Sequence, residues 1–479
     1  MSAIHRATKI VATLGPASSD EAVLETMLRA GVNVVRLNFS HGVAQDHIAR
    51  AGLVREISQR MGREVAIMAD LQGPKVRVGK FAQGKVLLEN GRPFVLDAAR
   101  TEPGNVEAAG LDYKELPRDV KPGDVLLLND GLIVLDVNRV LGEQIFTTVR
   151  VGGELSNNKG INKQGGGLSA PALTAKDMED IKVAMQLQAD YVAVSFPKTA
   201  TDMEMARQLA NVAGAEFRHK PFLIAKIERA EAIPRLEEIL AASDGIMVAR
   251  GDLAVEVGNA AVPALQKRMI RMARAADKLV ITATQMMESM ITNPVPTRAE
   301  VSDVANAVLD GTDAVMLSAE TAAGRYPVET VRAMDEICRA AEDADDAPLD
   351  DDFVGQDFKR IDHGIAMGAI FTASHLGAKA IVALTDSGFT ALWMSRHSVR
   401  IPIYALTPKL ATQRKMALFR NVRPLIMDTS VDRDTALAQA EERLRERDIV
   451  GSGDVYAITC GEPMGSPGGT NMLKICRVV

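Results

Sequence analysis

Eight short apolar runs rich in valine and isoleucine recur through the first two thirds of the chain, and they constrain the fold more than any other feature. Near-continuous apolar runs are typical of strands that are buried on both faces, as in parallel sheets. Helical patterns separate most of these runs, and eight strands alternating with helices predict a closed (β/α)8 TIM barrel. The runs begin at Lys9, Val32, Glu64, Asp190, Phe222, Gly245, Leu279 and Asp313.

One connection is too long for a barrel loop, because more than a hundred residues separate the third run, which ends at Asp70, from the fourth. Short alternating segments punctuated by Gly, Pro and Asn predict an inserted, small β-barrel-like domain there. An Asp-rich segment, 342–357, predicts a solvated linker, and alternating strands and helices after it predict an open α/β domain. The expected domains are 1–73 with 172–345 for the barrel, 74–171 for the insertion and 346–479 for the C-terminal domain.

Charge, hydropathy and cysteine content narrow the partners and the compartment. The formal net charge is -6 and no long basic tract is present, which argues against nucleic acid and anionic membrane surfaces as partners. No apolar run reaches the roughly 20 residues of a membrane helix, and we see no signal-peptide pattern. Cys338, Cys460 and Cys476 form no CxxC pair and no metal-ligand spacing, so we expect reduced thiols and a cytoplasmic location.

Polar side chains collect where the predicted barrel strands end. Active sites of (β/α)8 barrels lie at the C-terminal ends of the strands, because the loops there converge over one mouth. Residues i and i+2 of a strand face the same side, so several of these side chains are expected to point together. The expected groups are Arg36 with Asn38 and Ser40, Lys226 with Glu228, and Arg250 with Asp252.

These residue types suit a divalent metal and a phosphate at one mouth. Glu228 and Asp252 offer the hard oxygen ligands that Mg²⁺ prefers, Arg36 offers a planar fork for phosphate oxygens, and Lys226 is a compact cation. Exposed backbone N–H groups at Gly251 and Asp252 would bind an anion such as a carboxylate. A charge at one strand end is more often a solvated or structural ion pair, but the joint pattern over six strand ends favours a site.

Seven segments, in order along essentially the whole chain, resemble the pyruvate kinase family. They are TKIVATLGPAS, VVRLNFSHG, DLQGPKVRVG, IAKIERAEAI, MVARGDLAVE, ATQMMESM and DAVMLSAETAAGRYPVE. The resemblance implies transfer of the phosphoryl group of phosphoenolpyruvate to ADP, which gives pyruvate and ATP in the final step of glycolysis. It also implies Mg²⁺ as cofactor, with Mn²⁺ as a substitute, and a homotetramer.

The resemblance assigns roles to individual positions. The proton donor to the enolate stays open between Thr284, Ser318 and a chain of water molecules. The insertion is implied to be a mobile lid that closes over the phosphates. The catalytic positions are Arg36, Lys226 and Thr284; the substrate-binding positions add Gly251 and Asp252; the Mg²⁺ ligands are Glu228 and Asp252; the nucleotide positions are Asn38, Ser40, His41, Arg77 and Lys159.

One departure from the family pattern concerns the monovalent cation. Many members read DTKGPEIRT and need K⁺, whereas this chain reads DLQGPKVRV from Asp70 and resembles a branch associated with K⁺ independence. A lysine ammonium supplies a fixed positive charge, and we therefore hypothesise that Lys75 substitutes for K⁺. The pocket positions are Asn38, Ser40, Asp70 and Leu71.

The C-terminal domain is expected to hold an effector, a phosphorylated sugar or AMP. Phe389 stands where similar enzymes carry a basic residue, so an ordinary glycine turn stays an alternative. The expected effector residues are Thr385, Ser387, Gly388, Thr390, Gly465 and Gly468.

Two other functions stay open: a Mg²⁺-dependent pyruvate-enolate lyase or aldolase, which needs no nucleotide lid, and a non-enzymatic barrel, which would lack the charged site residues.

Overall fold

A computed structural model describes residues 6–344, 358–429, 431–464 and 469–479. The first and third strands are buried throughout, and the first helix begins at a capping residue, Asp20, whose side chain accepts a hydrogen bond from the Val23 N–H. These first elements are β1 (Lys9–Thr13), α1 (Glu21–Ala30), β2 (Val34–Asn38), α2 (Ala44–Met61) and β3 (Ala66–Asp70).

The insertion follows β3 and has a hydrophobic core of its own, in which Phe94, Leu126 and Leu135 are fully buried. Its strands form a six-stranded sheet and a separate two-stranded ribbon. Its elements are β4 (Lys85–Leu88), β5 (Pro93–Asp97), β6 (Ala108–Gly110), α3 (Leu116–Asp119), β7 (Val125–Leu128), β8 (Ile133–Leu141), β9 (Gln144–Val151), β10 (Gly153–Ser156) and β11 (Ile161–Lys163).

The chain then returns to complete the barrel. Thr174 and Asp177 cap the first returning helix reciprocally, which is the signature of a capping box. The returning elements are α4 (Ala175–Gln186), β12 (Tyr191–Val194), α5 (Ala200–Gly214), β13 (Phe222–Ile227), α6 (Leu236–Ala242), β14 (Gly245–Ala249), α7 (Arg250–Val257), α8 (Val262–Ala275), β15 (Leu279–Ala283), α9 (Arg298–Leu309), β16 (Ala314–Leu317), α10 (Ala319–Ala322) and α11 (Pro327–Ala344).

Within the described residues, eight parallel strands close into a barrel in the spatial order β1-β16-β15-β14-β13-β12-β3-β2. Closure is direct, because β1 pairs with β16 on one side and with β2 on the other. The predicted barrel is therefore confirmed. Short 3-10 helices lie at Pro16–Ser18, Ala230–Ala232, Asn259–Ala261 and Glu288–Ile291.

The described residues of the C-terminal domain form an open five-stranded sheet in the order β19-β18-β17-β20-β21, in which only the edge strand β21 is antiparallel to its neighbour. The predicted α/β class of this domain is confirmed. Its elements are α12 (Ile361–His375), β17 (Ala380–Leu384), α13 (Phe389–Ser395), β18 (Ile403–Thr407), α14 (Leu410–Met416), β19 (Val422–Ile426), α15 (Arg433–Glu446), β20 (Val455–Gly461) and β21 (Thr470–Arg477).

The C-terminal domain packs against the N-terminal end of the barrel. Lys9, the first residue of β1, donates from Nζ to the Val422 carbonyl at 2.7 Å, and the Tyr191 hydroxyl donates to the Lys415 carbonyl. Barrel-interior and C-terminal-domain side chains share one hydrophobic cluster. One end of the barrel is therefore covered, and the mouth at the C-terminal ends of the strands is left for a site.

The linker interpretation is wrong at its start. Glu342 belongs to the last turn of α11, and its carboxylate accepts the backbone N–H groups of Ala7 and Thr8, both at 2.7 Å. Acidic composition indicated solvation, but these two contacts order the side chain. The rest of the linker and the expected 345/346 boundary lie outside the described residues, and the other domain boundaries stay predictions. No helix of the described part is long and apolar enough to cross a membrane.

A buried ion pair joins the barrel to the C-terminal domain. Arg396 donates from Nη1 to Asp313 Oδ2 at 2.8 Å, and the two side chains are 3% and 1% exposed. We expect Arg396→Ala to destabilise the fold by about 3–5 kcal/mol, because a buried carboxylate loses its partner. Thermal unfolding measures the loss, with Arg433→Ala as the control, since Arg433 forms an exposed pair with Asp434. Equal melting of the two variants would contradict the assignment.

Candidate active site

Two cations and two carboxylates from β2, β3 and β13 meet at the barrel mouth. Arg36 Nε lies 2.5 Å from Asp70 Oδ2, and its Nη1 donates to the Thr13 hydroxyl at 3.0 Å. Lys226 Nζ lies 3.1 Å from Asp70 Oδ1 and 3.0 Å from Glu228 Oε1. The alternation argument thus correctly placed Lys226 beside Glu228, and Asp70 joins the two cations.

Lys226 stays charged although it is buried. Burial lowers the pKa of an ammonium, but Asp70 and Glu228 outweigh that effect and hold the pKa of Lys226 above its usual value. The pKa of Asp70 is shifted in the opposite direction. Burial would raise its pKa, yet the charges of Arg36 and Lys226 keep the pKa of Asp70 below its usual value. The mouth therefore holds fixed positive charge at physiological pH.

Glu228 and Asp252 are the carboxylates that fit a divalent metal. Burial, opposed by Lys226 and reinforced by the negative charge of Asp252, raises the pKa of Glu228, so a nearby cation would stabilise its ionised form. Among the described residues no three His, Cys, Asp or Glu side chains form a metal cage. Mg²⁺ is commonly held by one or two carboxylates together with water and substrate phosphate, and Glu228 and Asp252 supply two such carboxylates.

Lys75 lies against the metal-side carboxylate. Its Nζ donates to Asp252 Oδ1 at 3.0 Å, and its stem passes Gly160 of the insertion, where a Cβ atom would come within 3.1 Å of Lys75 Cε. Asp70, the carboxylate of the expected monovalent-cation pocket, is bonded to Arg36 and Lys226 instead. The structure thus brings Lys75 into the mouth but against Asp252.

The remaining pocket and nucleotide positions on the barrel follow β2 and β3. Asn38 ends β2 and accepts the Ser40 N–H on its side-chain oxygen at 3.1 Å. His41 comes next, is exposed, and its carbonyl lies 3.0 Å from His47 Nε2. Leu71 is buried, and its carbonyl accepts a hydrogen bond from the Ser195 hydroxyl at 2.7 Å. Asn38, Ser40 and His41 therefore lie together at one side of the mouth.

Thr284 and Gly251 meet across two strand ends. The Gly251 N–H donates to the Thr284 hydroxyl at 2.8 Å, and that hydroxyl donates to the Ala283 carbonyl at 2.6 Å. Thr284 has φ +70 and Gln285 φ +52, a conformation that is unusual for a β-branched residue and costs on the order of 1–3 kcal/mol. Strain of this kind at a strand end is typical of a functional site.

The expectation that Arg250 points with Asp252 is wrong. β14 ends at Ala249 and α7 begins at Arg250, so the alternation of a strand no longer applies there. The guanidinium turns into the protein, where Nη1 donates to Asp303 at 2.7 Å and Nη2 to the Thr284 carbonyl at 2.7 Å. Arg250 therefore supports the strained Thr284 turn.

Arg77 and Lys159 are carried by the insertion. Arg77 forms an isolated bridge with Gly160, and its Nη1 donates to the Asn158 carbonyl at 3.1 Å, which places it beside Lys159. The Lys159 carbonyl accepts the Val78 N–H at 2.9 Å. The two expected nucleotide cations thus share one edge of the insertion, and Lys75 passes the same edge.

The second segment that connects the insertion to the barrel contains three glycines and is hydrogen-bonded to two glutamates. Gly165, Gly166 and Gly167 have φ of +80, +78 and +93, which glycine adopts without steric cost. Gly165 N–H donates to the Glu256 carbonyl at 3.1 Å, and Gly167 N–H donates to the Glu231 carboxylate. Burial raises the pKa of Glu256 to about 7. This segment is therefore an ordered joint.

Two residues of the mouth were missed by the sequence argument. Ser195 and Phe196 follow β12, where one hydroxyl beside an apolar residue gives no charged signal in the sequence. The Ser195 hydroxyl accepts from Lys226 Nζ at 2.7 Å, and the Phe196 N–H donates to Glu228 Oε2 at 2.9 Å. Ser318 has its N–H bonded to Glu320 Oε2 at 2.6 Å.

Three of the expected effector residues, Thr385, Ser387 and Thr390, line one cleft of the C-terminal domain, and Gly388 lies between two of them in the chain. Gly388 has φ +87, and its N–H donates to the Thr385 hydroxyl at 2.9 Å; the Thr390 and Thr470 hydroxyls lie 2.9 Å apart. Aspartates 362 and 386 also line this cleft, with Ser387. Gly465 and Gly468 lie outside the described residues.

Comparisons with known proteins relate this geometry to a family. Residues 5–331 match the family described as pyruvate kinase, barrel domain, and residues 363–476 match pyruvate kinase, alpha/beta domain. Pyruvate kinase II of Salmonella typhimurium is 51% identical over 483 residues, with 100% of both chains covered. The pyruvate kinase of Haemophilus influenzae is 48% identical, with 100% of this chain and 99% of that relative covered. A crystal structure of a pyruvate kinase from Cryptosporidium parvum has a TM-score of 0.92 at 32% identity, and the match covers 99% of this chain and 96% of that chain.

Proposed function

The chain belongs to the pyruvate kinase family, whose members are phosphotransferases, and we propose that its barrel mouth moves the phosphoryl group of phosphoenolpyruvate to ADP. The observation that carries this proposal is the contact of the buried Lys226 ammonium with Asp70 and Glu228 beside Arg36. A compact cation and a planar guanidinium next to metal-type carboxylates suit a phosphoryl group that carries charge through its transfer.

The roles of the chain's own residues follow from their chemistry. Arg36 binds phosphate oxygens through its planar fork, and Lys226 neutralises charge on the phosphoryl group and on the enolate that leaves. Mg²⁺ held by Glu228 and Asp252 would supply further charge neutralisation at the same oxygens. Closure of the insertion brings Lys159 over the phosphates and excludes water. Each effect is one of position and charge, which is what phosphoryl transfer requires.

Protonation of the enolate completes the reaction. The Thr284 hydroxyl already donates to the Ala283 carbonyl at 2.6 Å and accepts the Gly251 N–H, so its proton is engaged. Threonine is also a weak acid. We therefore propose that the proton arrives through water, with Thr284 binding the substrate, and Ser318 stays the alternative donor.

Pyruvate formation from phosphoenolpyruvate and Mg²⁺ tests the function when it is measured with and without ADP. The proposal expects pyruvate only when ADP is present, with ATP formed in equal amount. A pyruvate-enolate lyase would act without nucleotide, and a non-enzymatic barrel would form no pyruvate at all. Arg77 and Lys159 on the insertion favour the first outcome, since a lyase has no use for cations carried by a nucleotide lid.

We also propose that this enzyme needs no K⁺. Asp70 is already neutralised by Arg36 and Lys226, and Lys75 adds a fixed charge in the same mouth. Lys75→Glu is therefore expected to lower activity about 10- to 100-fold in K⁺-free buffer, since charged hydrogen bonds contribute roughly 1.5–3 kcal/mol, and added K⁺ should restore part of it. Lys80→Glu, the same reversal on the exposed surface of the insertion, is the control. Activity that depends on K⁺ in the unmodified enzyme would refute the proposal.

Regulation, assembly and location are further parts of the proposal. The cleft lined by Thr385, Ser387 and Thr390 is the proposed site for a phosphorylated sugar or AMP, and a shift of the phosphoenolpyruvate saturation curve tests it. Ile361 is 73% exposed and Phe371 52% exposed on α12, which supports contact between copies and a homotetramer, measurable by analytical ultracentrifugation. The proposed location is the cytoplasm.

A further inference from the structure

The bend formed by Ser195 and Phe196 touches both charged groups on which transfer depends. The Ser195 hydroxyl forms two hydrogen bonds: it donates to the Leu71 carbonyl at 2.7 Å and accepts from Lys226 Nζ at 2.7 Å. Because the hydroxyl hydrogen points to the Leu71 carbonyl, a lone pair of the Ser195 oxygen faces the ammonium. Ser195 is only 1% exposed, so no solvent competes for this contact.

Lys226 Nζ donates a hydrogen bond to the Ser195 hydroxyl at 2.7 Å. It also forms ion pairs with the carboxylates of Asp70 and Glu228, at 3.1 and 3.0 Å. The neutral partner sets the direction of one N–H without adding charge. That N–H is thereby withheld from Glu228, which already pairs with Lys226, so the ammonium competes less with a divalent ion for the carboxylate.

The neighbouring residue fixes the metal-side carboxylate. The Phe196 N–H donates to Glu228 Oε2 at 2.9 Å, and Phe196 has φ +56, a strained conformation for a bulky side chain. The Arg229 guanidinium lies 5.2 Å from the centre of the Phe196 ring and packs the bend from outside. Strain retained at a residue that orients a site carboxylate is typical of a functional constraint.

The first segment that connects the barrel to the insertion also packs against the bend. A Cβ atom on Gly73 would lie 2.6 Å from Ser195 Cβ, and Gly73 has φ +66, so the chain passes directly over the bend. The Leu71 N–H donates to the Ala193 carbonyl at 3.0 Å, which ties this segment to β12. The support of Lys226 is thus part of the joint that carries the insertion.

We propose that Ser195 is a positioning residue that aims the Lys226 ammonium at the transferring phosphoryl group and keeps Glu228 available to the metal. This inference rests on the proposed function, and it adds a residue that the resemblance does not assign. Ser195 touches neither the substrate nor the metal; it acts through Lys226.

Ser195→Ala tests the proposal. We expect kcat to fall about 10- to 100-fold, the effect of losing a hydrogen bond to a charged group, with the KM for phosphoenolpyruvate changed less than about threefold. Binding of Mn²⁺ to the enzyme without substrates, measured from the free-ion EPR signal, should weaken about 3- to 10-fold, because the N–H released from Ser195 strengthens the existing pair of Lys226 with Glu228. Ser243→Ala is the matched control, since this buried hydroxyl donates to the Ile239 carbonyl at 2.7 Å far from the mouth.

The outcomes separate the positioning role from the function itself. If Ser195→Ala has the same kcat and the same Mn²⁺ affinity as Ser243→Ala, and the unmodified enzyme is active, the positioning role is overturned. If the unmodified protein forms no pyruvate, the proposed function fails, and weaker Mn²⁺ binding by Ser195→Ala would still support the contact. Should the alanine variant not fold, Ser195→Cys keeps the volume with a weak acceptor and is expected to change both quantities in the same direction.

Discussion

Lys226→Met is expected to lower kcat/KM for phosphoenolpyruvate by about 10³-fold or more. The substitution removes a buried positive charge that faces the transferring phosphoryl group in the barrel mouth. Methionine keeps most of the side-chain volume, so the loss reports charge rather than packing. Steady-state kinetics with purified enzyme measure the effect.

The control for this variant is Lys278→Met at the opposite end of the barrel. Lys278 is also partly buried, and its Nζ donates to the Ser243 carbonyl at 2.6 Å, but it contacts no residue of the mouth. Lys278→Met should keep kcat/KM within about twofold, the usual range for a change away from the site. A loss of equal size in the two variants would show that Lys226 acts only through stability.

Glu228→Gln is expected to lower kcat/KM by about 10²- to 10³-fold, since Lewis-acid stabilisation contributes several kcal/mol and each 1.36 kcal/mol is tenfold in rate. The amide is a weaker ligand and is never negative, so the half-saturating Mg²⁺ concentration should rise. Mn²⁺ binding by EPR should weaken in parallel. The exchange is nearly isosteric, which limits its effect on packing.

Glu64→Gln is the matched control for the metal ligand. Glu64 pairs with Arg414 at 2.8 Å near the base of the barrel and has no contact with the mouth. Its variant should bind Mn²⁺ as the unmodified enzyme does. Unchanged Mn²⁺ affinity in Glu228→Gln would remove this residue from the proposed metal site.

The barrel could be predicted because its strands are mostly apolar and several of its helices have start signals of their own. Helix α1 (Glu21–Ala30) is an example, since Asp20 caps it and Gly31 ends it. Helix α4 (Ala175–Gln186) is another, since the capping residue Thr174 precedes it. Local rules suffice where hydrophobic period and capping agree.

The pairing inside the mouth could be predicted only in part. Lys226 lies in β13 and Glu228 directly follows that strand, so the alternation still brought them together. The partners of Lys75 and Arg250 depend on how the insertion and α7 pack, which no local pattern encodes. Ser195 was missed for the same reason: its role comes from the distance of its hydroxyl to a lysine 31 residues further along the chain.

Transfer itself is followed most directly by ³¹P NMR of phosphoenolpyruvate and ADP with enzyme and Mg²⁺, in a buffer free of K⁺. The account predicts that the phosphoenolpyruvate resonance falls as the γ-phosphate resonance of ATP rises by the same amount. Phosphoenolpyruvate that stays unchanged, or that yields inorganic phosphate without ATP, would contradict phosphoryl transfer at this barrel mouth.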